Sequence, residues 1–276
     1  MKTKTILIPT DFSENAQNAI NYAISMYNGE NPEYILLNSY RIIPVGAEEY
    51  LTDITDFEGM SKQGLDQVMK TIKKSFPNKK LNIEVVSKLG YPVEAMDKIV
   101  KRKKVDIVVM GTKGASGLRE VLIGSNTSDA IKTLTCPVLA VPEKSIFKTP
   151  KNIAFGADFK NIDKEILLGP MVEIAKKFKA EILIVHVEPQ EETVNVDEAL
   201  QGMKLHDFFR DIPHLFREVR DRDPAAGIEN FIKTHTVDLL VTVARKHGFW
   251  ENLFKGSITG KLAMHTTIPL LALQNE

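Results

Sequence analysis

The chain repeats itself, and that repetition limits the folds open to it more than any other feature. KNIAFGADFKN from Lys151 echoes KTILIPTDFSE from Lys4, which sets Asp158 at the position of Asp11 and Phe159 at that of Phe12. AEILIVHVEP from Ala180 echoes EYILLNSYRI from Glu33. TVDLLVTVARKHG from Thr236 echoes KVDIVVMGTKG from Lys104, and TTIPLLALQ from Thr266 echoes LTCPVLAVP from Leu134. The offset between copies is 147 residues at the first match and 132 at the last, so the second copy is shorter, mostly between its second and third strands. A duplicated chain of 276 residues leaves each copy enough length to bury a core of its own. The spacing predicts two domains, residues 1–144 and 150–276, joined near Pro142 to Pro150.

Within a copy, short apolar runs alternate with amphipathic segments. In the first, KTILIPTDF reads as a buried strand stopped by Pro9. Ser13 then caps a helix whose Ala16, Ala19, Ile20, Ala23, Ile24 and Tyr27 recur at helical spacing. A strand at Tyr34 to Tyr40 follows, then an acidic, weakly periodic segment from Arg41 to Glu58 read as a loop, and a helix from Met60 to Phe76. Leu81, Ile83 and Val85 alternate as in a strand, and Gly90, Tyr91 and Pro92 introduce the helix VEAMDKIVKRK. The basic run Lys101 to Lys104 at its end complements the helix dipole. The expected fold class is α/β: two tandem doubly wound parallel five-stranded sheets, Rossmann-like, with helices on both faces.

The stretch VDIVVMGTKGASGLREVLIGSNTSDAI, Val105 to Ile131, carries the chemistry. A buried strand breaks into a connection with Gly111, Gly114, Gly117 and Gly124 and restarts as a helix at Ser125, where Ser, Asn and Thr suit an N-cap. First-turn amides lack an internal partner and the dipole is positive there, so this arrangement suits an anionic phosphate. The spacing Gly111, two residues, Gly114, nine residues, Gly124, Ser125 matches G-x2-G-x9-G-[S/T]. On that motif the first copy resembles the ATP-binding members of the universal stress protein family.

In a doubly wound sheet, ligands bind beyond the carboxyl ends of the strands where strand order reverses. Pro9, Thr10 and Asp11 end the first strand, Asn38 and Ser39 the second, and Met110 and Gly111 the fourth. The resemblance implies that Asp11, Ser39, Met110 and Gly111 contact the nucleoside while Gly114, Gly124, Ser125 and Asn126 hold the phosphates of ATP, with Mg2+ as its companion. Ser39 departs from the aliphatic residue common there. Asp11 also has a purely structural reading, as a cap for the first helix. Lys113 and Arg119 lie within the loop, where they could neutralise phosphate.

The second copy departs from the motif. Ala244 is read opposite Gly111, His247 opposite Gly114, and Gly156 opposite Pro9, while Asp158, Gly256 and Ser257 persist. This half is expected to be structural, with a pseudo-site. Its stretch from Leu205 to Val219, LHDFFRDIPHLFREV, reads as a core-facing helix or, alternatively, a partner-binding surface.

Other chemistries lack their residues. GSITGKL from Gly256 has three residues between its glycines, and Leu262 where a P-loop needs a hydroxyl. Neither G-x-G-x-x-G nor G-x-S-x-G occurs. All six histidines lie in the second copy without zinc-motif spacing, so no metal site is expected. Formal net charge is zero, which gives no pull toward nucleic acid or anionic membrane. No run approaches the ~18 apolar residues of a membrane span, and the N-terminus has no signal-peptide pattern. Cys136 is the single cysteine and reads as a buried core residue. The expected location is the cytoplasm.

Two function classes follow. One is a stress-response binding module that holds an adenine nucleotide in its first copy and signals to a protein partner. Its last strands, PVLAV and PLLAL, are candidates for pairing between the domains or in a homodimer. The other is a slow ATPase or phosphotransferase on the same site, less favoured because Asp11 has no second carboxylate beside it. A nucleotide-free scaffold is the remaining alternative.

Overall fold

The computed structural model describes residues 3–41, 50–112, 124–157, 165–188, 196–244 and 268–274. The chain divides into two compact units, Met1–Phe147 and Lys148–Glu276.

In the first unit the elements are β1 (Thr5–Pro9), α1 (Glu14–Met26), β2 (Glu33–Tyr40), α2 (Tyr50–Ser75), β3 (Asn82–Leu89), α3 (Pro92–Lys103), β4 (Ile107–Gly111), α4 (Ser125–Thr133) and β5 (Val138–Val141). All strands are parallel, in the order β3-β2-β1-β4-β5. The near-continuous apolar runs of β1 and β4 follow from burial on both faces, with Ile6, Leu7, Ile8, Val108 and Val109 wholly inaccessible. Right-handed crossovers put α1 and α2, which touch each other, on one face, and α3 and α4, which touch each other, on the other. The order therefore reverses at β1, whose pairing with β4 runs through Ile6 with Ile107 and Leu7 with Val108.

Local sequence sets these elements. The Ser13 hydroxyl caps α1 by accepting the Ala16 amide at 3.2 Å. Pro92 opens α3, where its missing N–H costs nothing, and Lys104 closes it in the left-handed region at φ 51°. Gly90, at φ +134°, makes the turn into α3 and donates its amide to the Tyr40 carbonyl.

The second unit contains β6 (Asn152–Gly156), α5 (Glu165–Phe178), β7 (Glu181–Glu188), α6 (Val196–Phe208), β8 (His214–Arg220), α7 (Pro224–Thr234), β9 (Leu239–Ala244) and β10 (Leu270–Gln274). Its strands are also parallel, in the order β10-β9-β6-β7-β8. The duplication extends to single hydrogen bonds. Asp106 accepts the Thr5 amide at 2.8 Å, and Asp238 accepts the equivalent Asn152 amide at 3.0 Å.

Two expectations are corrected. The helix expected from Met60 begins at Tyr50, so much of the segment read as a loop is α2. Leu51, Ile54 and Phe57 recur at helical spacing, and the acidic residues that suggested a loop suit the positive end of a helix. The aromatic stretch from Leu205 is not one helix: α6 ends at Phe208 and β8 begins at His214 after Pro213, which cannot continue a helix. Phe209 is fully buried, whereas Leu215 and Phe216 stand about 40% exposed on an edge strand.

Candidate functional site

Beyond the carboxyl ends of β1, β2 and β4 the first unit has an open cleft of about 760 Å³, counting its mouth. Pro9, Thr10, Asp11, Ser39, Met110, Gly111, Gly124, Ser125 and Asn126 all line it. Gly114 lies outside the described residues, as do Gly117, Lys113 and Arg119. Asn38, expected among the strand ends, also lines the cleft, as do Pro92, Met96 and Thr127, which were not expected there from the sequence.

Four hydrogen bonds hold together the wall formed by the ends of β1 and β2 and the start of α1. The Thr10 amide donates to the Leu37 carbonyl at 2.8 Å, continuing the β1–β2 ladder one residue past the strand. Asn38, 7% exposed, donates its side-chain N–H to the Thr10 carbonyl at 2.7 Å. The Asp11 carboxylate accepts the Ser13 amide at 3.1 Å and the Ser13 hydroxyl at 2.6 Å. Asp11 therefore braces the capping residue, and Ser13 is the cap.

The opposite wall is the end of β4 and the start of α4. The N-cap of α4 is Gly124, with no side-chain cap bond, instead of the Ser, Asn or Thr expected. A glycine cap has no side-chain oxygen of its own to offer the first amides of the helix, which belong to Ser125 and Asn126. The Thr127 hydroxyl donates to the Gly111 carbonyl at 2.8 Å and is buried, fixing the helix start against the strand end. Gly124 donates its amide to Thr112, closing the far side of the loop. A Cβ added at Gly111 would lie 2.8 Å from the Asn15 side chain, which would have to shift to admit it. A polyanion offered to this cleft meets backbone N–H groups, a helix N-terminus and, among its described lining residues, Asp11 as the one carboxylate. Beside the cleft, the Arg41 guanidinium lies over the Tyr91 ring, 4.9 Å from its centroid.

Strand register corrects the equivalence between copies. Ile6 pairs with Ile107 and Leu7 with Val108; Ile153 pairs with Leu239 and Ala154 with Leu240. Val243, not Ala244, thus stands where Gly111 stands, and Thr242 stands where Met110 does. The last strands agree: Gly111 pairs with Val141 and Val243 with Leu273. The Val-Asp pairs that precede the two strands, at 105–106 and 237–238, have the same offset of 132 residues. In the second unit Ile228 of α7 occupies the space beside Gly156, where an added Cβ would be 2.9 Å from its Cδ1. Asp158, His247, Gly256 and Ser257 lie outside the described residues.

Elsewhere, Cys136 is buried, and that burial pushes its thiol up to about 12. His206 Nδ1 and His214 Nε2 are 3.0 Å apart, and no cluster of three or more metal-ligating side chains exists among the described residues. No helix among them is long and apolar enough to cross a membrane.

Comparison with known proteins agrees with the duplicated architecture. The profile of the universal stress protein family matches residues 2–142 and again residues 150–274. The universal stress protein MJ0577 of Methanocaldococcus jannaschii is 31% identical over 156 residues, covering 51% of this chain and 96% of that protein. MJ0531 of the same organism is 29% identical over 144 residues, covering 50% of this chain and 81% of that protein. A crystal structure of a universal stress protein from Archaeoglobus fulgidus superposes with a TM-score of 0.76, at 17% identity, over 100% of both chains, which shows a shared fold. With the family profile matched twice along the chain, each time over five parallel strands, the protein belongs to the universal stress protein family.

Proposed function

We propose that the first domain binds ATP or a related adenine nucleotide in the cleft at the ends of β1, β2 and β4, and that the protein acts as a stress-response binding module. The observation that carries this reading is the glycine-capped N-terminus of α4, facing the Thr10–Asp11 turn across a cleft at the point where strand order reverses. The nucleoside sits against Thr10, Asp11, Ser39 and Met110, beside Pro9. The phosphates follow the loop from Gly111 through Gly114 to Gly124, Ser125 and Asn126. Mg2+ would accompany the phosphates as their counter-ion.

Binding is favoured over turnover. Hydrolysis needs a base or a water-orienting group. Asp11, the acidic residue of the described lining, already accepts two hydrogen bonds from Ser13. The second domain is proposed as the structural half, because Val243 puts a branched side chain where the first domain has Gly111 with the Asn15 side chain packed against it. Occupancy is read in the cytoplasm by a protein partner or a second copy of the chain.

Acid extraction of the purified protein, followed by nucleotide analysis and a phosphate-release assay, tests the reading. Intact adenine nucleotide and negligible phosphate release are expected. Multiple turnovers would support an ATPase, and an empty protein that also takes up no added nucleotide would support a scaffold.

A further inference from the structure

Asn38 and His186 occupy the same place in the two units. Glu33 pairs with Thr5 and Glu181 with Asn152, which makes Leu37 equivalent to Val185 and Asn38 equivalent to His186. Each donates to the same backbone atom: Asn38 Nδ2 to the Thr10 carbonyl at 2.7 Å, His186 Nδ1 to the equivalent Ala157 carbonyl at 3.1 Å. A carbonyl oxygen only accepts, so the proton lies on Nδ1 of His186. The neighbouring ladder bond repeats as well, from the Thr10 amide to Leu37 and from the Ala157 amide to Val185. Two chemically different side chains thus supply one N–H at one point of a duplicated fold.

In the first unit that point precedes a strained turn. Phe12 has φ 69°, in the left-handed region that a bulky residue rarely adopts. Such a conformation persists only where its surroundings over-determine it. Here the Phe12 amide donates to the Thr10 hydroxyl at 3.1 Å, the Ser13 amide donates to Asp11, and the Phe12 ring fills the space a Cβ would need at Gly64 of α2. A further restraint is the bond that fixes the Thr10 carbonyl, and Asn38 supplies it from within the cleft wall.

We infer that Asn38 is the positioning residue of the cleft: its N–H holds the Thr10–Phe12 turn in the shape that presents Thr10 and Asp11 to the ligand, through the same carbonyl bond that an imidazole N–H makes from His186 to Ala157. The inference rests on the nucleotide reading for its ligand, but the shape of the turn can be read without one. It predicts an order of tolerance opposite to that of size. Asn38→Asp is nearly isosteric but brings an acceptor against the Thr10 carbonyl, whereas Asn38→His is bulkier but restores the donor.

The test uses the full-length protein in two measurements. In calorimetric titration with ATP, Asn38→Asp should lose about tenfold or more in affinity at pH 8 and recover when acid protonates the new carboxyl and makes it a donor. Asn38→His should stay within about threefold of the unaltered protein. In nucleotide-free hydrogen exchange, the amides of Thr10, Phe12 and Ser13 should exchange faster in Asn38→Asp and near the original rate in Asn38→His. The reciprocal His186→Asn should leave the Ala157 amide protected. Unchanged exchange in Asn38→Asp, or equal damage from both substitutions at 38, overturns the inference. If the unaltered protein takes up no ATP while the exchange pattern holds, the nucleotide reading fails and the positioning role stands.

Discussion

The Thr127 hydroxyl donates to the Gly111 carbonyl across 2.8 Å, a buried bond that ties the first turn of α4 to the last residue of β4. Strand end and helix start, separated in sequence by the glycine loop, are thereby held as two edges of one cleft. Thr127→Val keeps the shape but leaves that carbonyl without its donor. We expect a loss of about 1–3 kcal/mol in urea unfolding, and a severalfold weaker ATP affinity in calorimetry.

Gly111→Val installs the side chain that the second unit carries at Val243. The Cβ would sit 2.8 Å from Asn15 Cγ on α1, so the Asn15 side chain, 5% exposed, must be displaced. Overpacking of this kind costs typically about 1–3 kcal/mol. The variant should remain folded by circular dichroism, melt earlier, and show no ATP binding by calorimetry. Replacing Gly114 with a bulky residue should likewise abolish nucleotide retention, while the same change at Gly256 should matter far less.

Asp11→Ala separates the two readings of that carboxylate. Ser13 still caps α1, so the stability cost should stay below about 1 kcal/mol. ATP affinity should fall about tenfold or more, equivalent to about 1.4 kcal/mol. A residue that merely braces a cap would show the first effect without the second.

Burial at the end of the first unit's core pushes the Cys136 thiol from its ordinary 9.0 up to about 12. The neutral thiol is therefore the native form throughout the physiological range, and a neutral thiol is a poor nucleophile. Native protein at pH 8 should react with a thiol reagent far more slowly than the same protein in denaturant. The sign for stability follows: the contribution of this group is complete below about pH 9 and is eroded as pH climbs from there toward 12, because the unfolded chain releases its proton first. Alkaline unfolding of Cys136→Ser should show a weaker pH dependence in that window.

Much of the fold was legible because its signals are local. The Ser13 cap, Pro92 at the first helical position and the buried runs of β1 and β4 each depend on a few adjacent residues. The first ten residues of α2 were not legible, since the acidic side chains that favour a helix N-terminus also populate loops. In the cleft, the strand-end positions could be named from topology, and nine of the ten expected residues line it, with Gly114 outside the described residues. Asn38 could not be given a role, because its partner Thr10 is 28 residues away and joined through β1–β2 pairing. The Val243 equivalence, by contrast, was legible: the shared Val-Asp pairs at 105–106 and 237–238 carry the offset of 132 that the strand register also has.

The most direct test of the account is the stoichiometry of ATP binding to the full chain, measured by calorimetry with and without Gly111→Val. One nucleotide per chain, lost on that substitution, is the predicted result. Two nucleotides per chain, full binding by the variant, or no binding by the unaltered protein would contradict it.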